Sequence, residues 1–220
     1  MSDVSLDALV HVHRPPLDQD PLTLLLLHGT GATEQDLLPL GELLAPTARL
    51  ISPRGRVLEH GMPRWFRRHA EGVFDLDDLV ARTHELADWL ETASEAYEAD
   101  ATRLVAAGFS NGANIAGALL LLRPRTLRAA ALFAPMLPLE PEELPDLRHV
   151  AVFVSAGRRD PICPPEQVER LASLLADAGA TVALHWHDGG HEVALEHARA
   201  AADWLARWRQ VTACDLDGLP

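Results

Sequence analysis

Short apolar, β-rich runs alternate along this chain with longer stretches of helical periodicity, and that alternation restricts it to an α/β architecture built on a mostly parallel sheet. The strands are predicted at Ala8 to His13, Leu22 to Leu27, Arg49 to Ile51, Arg103 to Ala107, Ala129 to Phe133, Val150 to Ser155 and Val182 to His187. Several are continuously apolar, the mark of central strands covered on both faces. The helices are predicted at Glu34 to Leu44, Leu76 to Tyr97, Asn111 to Leu122, Pro165 to Ala178 and Glu192 to Trp208. Residues 1–210 read as one domain and 211–220 as a tail without pattern. Two connections are long, 52–74 and 134–149, and the first carries Trp65 and Phe66, which suggests a pocket wall.

Charge narrows the partners. Nineteen basic residues, every one Arg, stand against 32 acidic ones for a net charge of -13. Such a surface repels nucleic acid and anionic membranes. The N-terminus lacks the cationic start and apolar core of a signal peptide, and no apolar run reaches the ~18 residues of a bilayer span. A cytoplasmic protein, a monomer or homodimer acting on a small molecule, is the expectation. The two cysteines, Cys163 and Cys214, have neither disulfide-framework nor zinc-cluster spacing and read as free thiols.

Gly108-Phe109-Ser110-Asn111-Gly112 matches G-x-S-x-G between a predicted strand and a predicted helix. With seven Ser and 14 Gly in 220 residues, about 0.03 such matches arise by chance. The glycines suit a sharp turn that strains the serine backbone and presents its hydroxyl at the carboxyl edge of the sheet. Ser110 is therefore the expected nucleophile. A hydroxyl needs a base, and for this arrangement an acid and then a histidine should follow it in the chain. His191, in Asp188-Gly189-Gly190-His191 after the last strand, suits the base. Asp160, on the loop leaving the strand 150–155, suits the orienting acid better than Asp188, which more naturally closes a Gly-rich turn.

Developing negative charge on the substrate oxygen needs donors. One is the backbone N–H of Asn111, after the nucleophile. The second is assigned to Thr30 in His28-Gly29-Thr30-Gly31, with Gly31 in reserve and His28 as a brace. Other groupings weigh less. His11 with His13, and His185 with His187, have strand spacing that would turn both rings to one face, but no third ligand is tied to them, and polar edge-strand positions are preferred to a metal site. Arg64, Arg67 and Arg68 could meet an anionic leaving group, but pairing with Glu71 or Asp75 explains them equally well. Cys163 could stand as the nucleophile of a dienelactone-hydrolase-like site, but it lacks elbow glycines.

Taken together, LLLLHGTG at 24–31, SPRG at 52–55, RWF at 64–66, GFSNGA at 108–113, AGRRDP at 156–161 and GGH at 189–191 resemble the α/β-hydrolase superfamily. Within it they are similar to the small phospholipase/carboxylesterase family that includes acyl-protein thioesterases. The resemblance implies a doubly wound, three-layer sheet without a lid domain, with Ser110, Asp160 and His191 as triad, Thr30 and Asn111 at the oxyanion hole, and Trp65 and Phe66 toward substrate; Met136 is expected at the substrate site as well. Asn111 stands where Gln is usual and Thr30 where Leu is usual, which brings the chain closer to a bacterial carboxylesterase subgroup. The function expected is hydrolysis of short to medium-chain carboxylic esters through an acyl-serine, with no cofactor and no metal. Acyl thioesterase or lysophospholipase activity, and a non-catalytic ligand-binding module, are the alternatives.

Overall fold

The computed structural model describes residues 4–216, with side chains described through Val211. Its strands and helices follow in the order β1 (His11–Arg14), β2 (Thr23–Leu27), α1 (Leu38–Leu44), β3 (Arg49–Pro53), β4 (Val57–Glu59), β5 (Met62–Arg64), β6 (Arg68–Ala70), β7 (Val73–Phe74), α2 (Leu76–Ala96), β8 (Leu104–Phe109), α3 (Asn111–Leu122), β9 (Ala129–Phe133), β10 (Ala151–Gly157), α4 (Pro165–Asp177), β11 (Thr181–His187) and α5 (Leu195–Leu216).

The central sheet has the order β1-β3-β2-β8-β9-β10-β11, with β1 antiparallel to β3 and every other pair parallel. Each face carries helices, as a doubly wound three-layer fold requires. Leu25 and Leu27 of β2 join a core with Leu79, Trp89, Ile115 and Leu171 from α2, α3 and α4. Leu24 and Leu26 turn the other way, to Leu38 of α1 and Trp204 and Leu205 of α5. The period-two side-chain alternation of a strand thus splits one apolar run between two cores.

Chain order reverses at β2: it leads to β3 on one side and, through α2, to β8 on the other. Connections diverge above this switch point and leave a crevice at the carboxyl ends of β2 and β8. The segments 28–31 and 108–112 both open into it.

Several boundaries differ from the sequence expectation. Residues 6–8 form a 3₁₀ turn capped by Ser5, so β1 starts at His11 rather than Ala8. Helix α1 starts at Leu38 rather than Glu34, because the Asp36 carboxylate accepts both the N–H and the hydroxyl of Thr33 in a closed turn, and Pro39 is tolerated only in a first turn. The 52–74 connection is not an open loop but two short hairpins, β4–β5 and β6–β7, tied together where Glu59 receives the guanidinium groups of Arg64 and Arg68. Helix α5 continues to Leu216, past the 210 boundary, since neither Gly nor Pro interrupts the chain before Gly218. Residues 217–220 of the expected tail lie outside the described residues. Among the described residues no lid domain rises over the crevice, and no helix is long and apolar enough to cross a membrane.

Candidate active site

Ser110 joins β8 to α3 with φ 54° and ψ -117°, a left-handed conformation costing a side-chain-bearing residue ~1–3 kcal/mol. The flanking glycines make it possible. A β-carbon on Gly108 would lie 2.5 Å from the Gly112 carbonyl oxygen, and one on Gly112 only 1.8 Å from that of Leu27. The turn is pinned by Ser110 N–H donating to Phe133 O (2.9 Å) and Asn114 N–H donating to Ser110 O (2.9 Å).

The structure brings Ser110, His191 and Asp160 together. Ser110 Oγ lies 2.9 Å from His191 Nε2, and His191 Nδ1 lies 2.8 Å from Asp160 Oδ2. Asp160 is buried, and its other oxygen accepts the N–H groups of Ile162 (2.8 Å) and Cys163 (2.9 Å), which fixes the carboxylate plane. Asp188 is exposed and engages Arg159 Nε only through its backbone oxygen (2.5 Å). The loops holding acid and histidine are laced together: Arg158 N–H donates to His187 O (2.8 Å) and Arg159 N–H to Gly189 O (3.1 Å).

At the end of β2, the Gly31 N–H is taken by Pro63 O (2.9 Å). The N–H groups of Thr30 and Asn111 have no acceptor among the described residues. Beneath them His28 is a brace. Its Nδ1 lies 2.7 Å from Gly29 O, which it reaches as a donor, while Nε2 accepts Gly55 N–H at 2.9 Å. Burial holds its pKa below the usual histidine value, in keeping with this neutral, two-partner role.

Trp65 and Phe66 belong to the buried core. They are 3% and 0% exposed, Trp65 Nε1–H donates to His28 O (2.8 Å), its N–H donates to Asn111 Oδ1 (2.8 Å), and Phe66 packs edge-on against Phe74. A Trp ring in a core needs an acceptor for its indole N–H, and the carbonyl of His28 supplies one only if the ring turns inward. This segment braces the loop 28–31 through the indole N–H on His28 O. Met136 is also buried, clustered with Ala134 and Cys163 under the partly buried Phe109, Phe74 and Ile162. Phe109 lies against the His191 ring, 5.0 Å between centroids. Arg67 and Arg68 engage Asp75 and Glu59, and Arg68 also Glu71.

Sequence reasoning set Cys163 aside, yet its Sγ lies 3.7 Å from His191 Nδ1 and 3.1 Å from Ala134 O. Its only sequence signal is its place three residues after Asp160. Burial, reinforced by the Asp160 charge, pushes the thiol well above its usual pKa, so it is no ready nucleophile. One ligand atom each from Asp160, Cys163 and His191 lies within 4.8 Å of the others, a set able to hold a metal. A groove of about 820 Å³ between the C-terminal ends of α2 and α3 borders Leu104, the first residue of β8, and so lies at the far end of that strand from Ser110.

The comparisons agree with this architecture. The Dienelactone hydrolase family matches residues 67–212. The Bacillus subtilis (strain 168) protein MhqD, whose name describes it as a hydrolase, is 48% identical over 181 residues, 82% of this chain and 90% of its own. A Bacillus cereus carboxylesterase crystal structure is 44% identical with a TM-score of 0.89, covering 91% of this chain and 94% of that one. A carboxylesterase from Mesorhizobium loti is 33% identical with a TM-score of 0.80, over 86% and 90%. On its sequence match and its sheet, this chain is an α/β-hydrolase and belongs to the Dienelactone hydrolase family.

Proposed function

We propose that the chain is a serine carboxylesterase that cleaves short to medium-chain carboxylic esters in two steps through an acyl-Ser110 intermediate. The observation that carries this reading is the continuous hydrogen-bonded series from Ser110 Oγ through His191 to Asp160. His191 Nε2 takes the hydroxyl proton as Ser110 Oγ attacks the ester carbonyl, and Asp160 orients the ring and balances the imidazolium. The N–H groups of Asn111 and Thr30 receive the oxyanion, where losing one donor typically costs ~10² to 10³ in rate. His191 then protonates the leaving alcohol, and water repeats the sequence on the acyl group.

Partly exposed Phe109, Phe74 and Ile162, with Met62 at the lip beside Gly31, supply apolar surface for the acyl chain. An uncovered crevice favours soluble esters over lipid droplets. A fluorophosphonate probe tests the assignment: wild type should label and Ser110→Ala should not. An unlabelled wild type, or equal labelling of the alanine variant, would overturn it. A chain-length series of aryl esters against acyl-thioesters sets the leaving-group preference, with the higher kcat/KM expected on esters.

A further inference from the structure

We infer that Asp160, Cys163 and His191 form an inhibitory site for a thiophilic divalent cation such as Zn²⁺, which switches the enzyme off by capturing the Nδ1 edge of its histidine. The inference rests on the reading of His191 as the base.

Sulfur, imidazole nitrogen and carboxylate oxygen are the donors zinc takes. Tetrahedral zinc at ordinary bond lengths sets nitrogen and sulfur about 3.6 Å apart, and nitrogen and oxygen about 3.4 Å apart. Here His191 Nδ1 is 3.7 Å from Cys163 Sγ and 2.8 Å from Asp160 Oδ2. The nitrogen–sulfur edge is already at metal-site length, the hydrogen-bonded edge has to open, and the sulfur–carboxylate edge is within 4.8 Å. The Asp160 charge, unfavourable to a second anion beside it, favours a dication. The three stacked or neighbouring rings of His185, His187 and His197 do not converge in this way: His187 and His197 lie face to face at 3.7 Å, so their nitrogens point along parallel planes.

The thiol proton leaves to solvent as the metal–sulfur bond forms. The His191 proton passes from Nδ1 to Nε2 as Nδ1 takes the metal. Nε2 then carries a hydrogen and cannot accept the one on Ser110, while the Asp160 carboxylate is spent on the metal. The tautomer that ester cleavage needs is inverted.

The test uses full-length protein with Cys214→Ser, so that Cys163 is the single thiol. Cd²⁺ should raise the ultraviolet thiolate-to-metal charge-transfer band with one metal per chain, and Zn²⁺ should inhibit ester hydrolysis with slow onset. Adding Cys163→Val should abolish the band and, measured against the variant's own metal-free rate, shift the Zn²⁺ midpoint by more than about a hundredfold, beyond the cost of losing an outer-shell partner. Equal inhibition with and without Cys163, or hydrolysis that labels with fluorophosphonate while no band forms, overturns the metal site. If Cys163→Val does not fold, Cys163→Ser replaces it with the same criteria. Absence of fluorophosphonate label on metal-free protein instead removes the esterase reading, and the cadmium band still reports on the site.

Discussion

Gly157 lies against the backbone of Gly190: a β-carbon on Gly157 would stand 2.4 Å from the Gly190 carbonyl oxygen. The last residue of β10 and the loop bearing His191 can touch only because one of them has no side chain, and the contact sets how far His191 stands from Asp160. Gly157→Ala is expected to lower kcat/KM by about 100-fold, the scale of a 1 Å misplacement of a reacting group, with the far-ultraviolet circular dichroism unchanged. Wild-type kcat/KM in this variant would show that the loop contact does not position the histidine.

Trp65 separates a brace from a pocket wall. Trp65→Phe removes the indole donor to His28 O and should cost ~1–3 kcal/mol in urea unfolding, because a buried acceptor loses its partner. The relative rates on acyl chains of different length should stay the same. A changed chain-length profile with unchanged stability would return Trp65 to the substrate pocket.

Asn111 combines a backbone donor with a side chain whose Oδ1 holds the Trp65 N–H, while its buried Nδ2 has no partner among the described residues. Asn111→Ala keeps the backbone N–H, strands the Trp65 amide and removes the unpaired amide group. Stability should fall by only ~1 kcal/mol, the low end for an orphaned donor, and kcat should fall less than tenfold. A loss of ~10² or more would mean that the side chain itself contacts the reacting oxygen.

Burial is the leading cause holding His13, His28, His185 and His187 below the histidine value of 6.5; Arg49 adds to it at His13 and His197 at His185 and His187. Groups with depressed folded values bind protons more readily when unfolded, so their contribution to stability is intact above 6.5 and is lost as pH falls below it. Urea unfolding should show stability declining from about pH 7 to about pH 5, with a shallower decline in His28→Gln. A flat profile over that range would refute the neutral brace.

Much of the site was legible because its requirements are local. The elbow needs glycines two residues either side of Ser110, and the clashes their β-carbons would meet explain that spacing. Strand ends place Asp160 and His191 on loops at the same edge of a parallel sheet, whatever the details of packing. The direction of Trp65 and Phe66 was not legible, because a large aromatic beside a site suits a pocket and a core equally well. The choice between them depends on the His28 carbonyl, 37 residues away in the chain. The start of α1 was likewise hidden, since Glu34 pairs with Arg54 from the next strand's loop instead of continuing a helical face.

By itself, then, the sequence determined the layered α/β sheet, the strained serine turn and the order of the chemical groups along the chain, because periodicity, glycine spacing and strand ends act within a few residues. Only the tertiary structure decided which aromatics are core, which N–H groups stay unpaired, and that Cys163 stands beside the histidine. Those outcomes depend on which backbone approaches which across the β2–β8 crevice and between the β10 and β11 loops, and such approaches are set by packing between segments far apart in the chain.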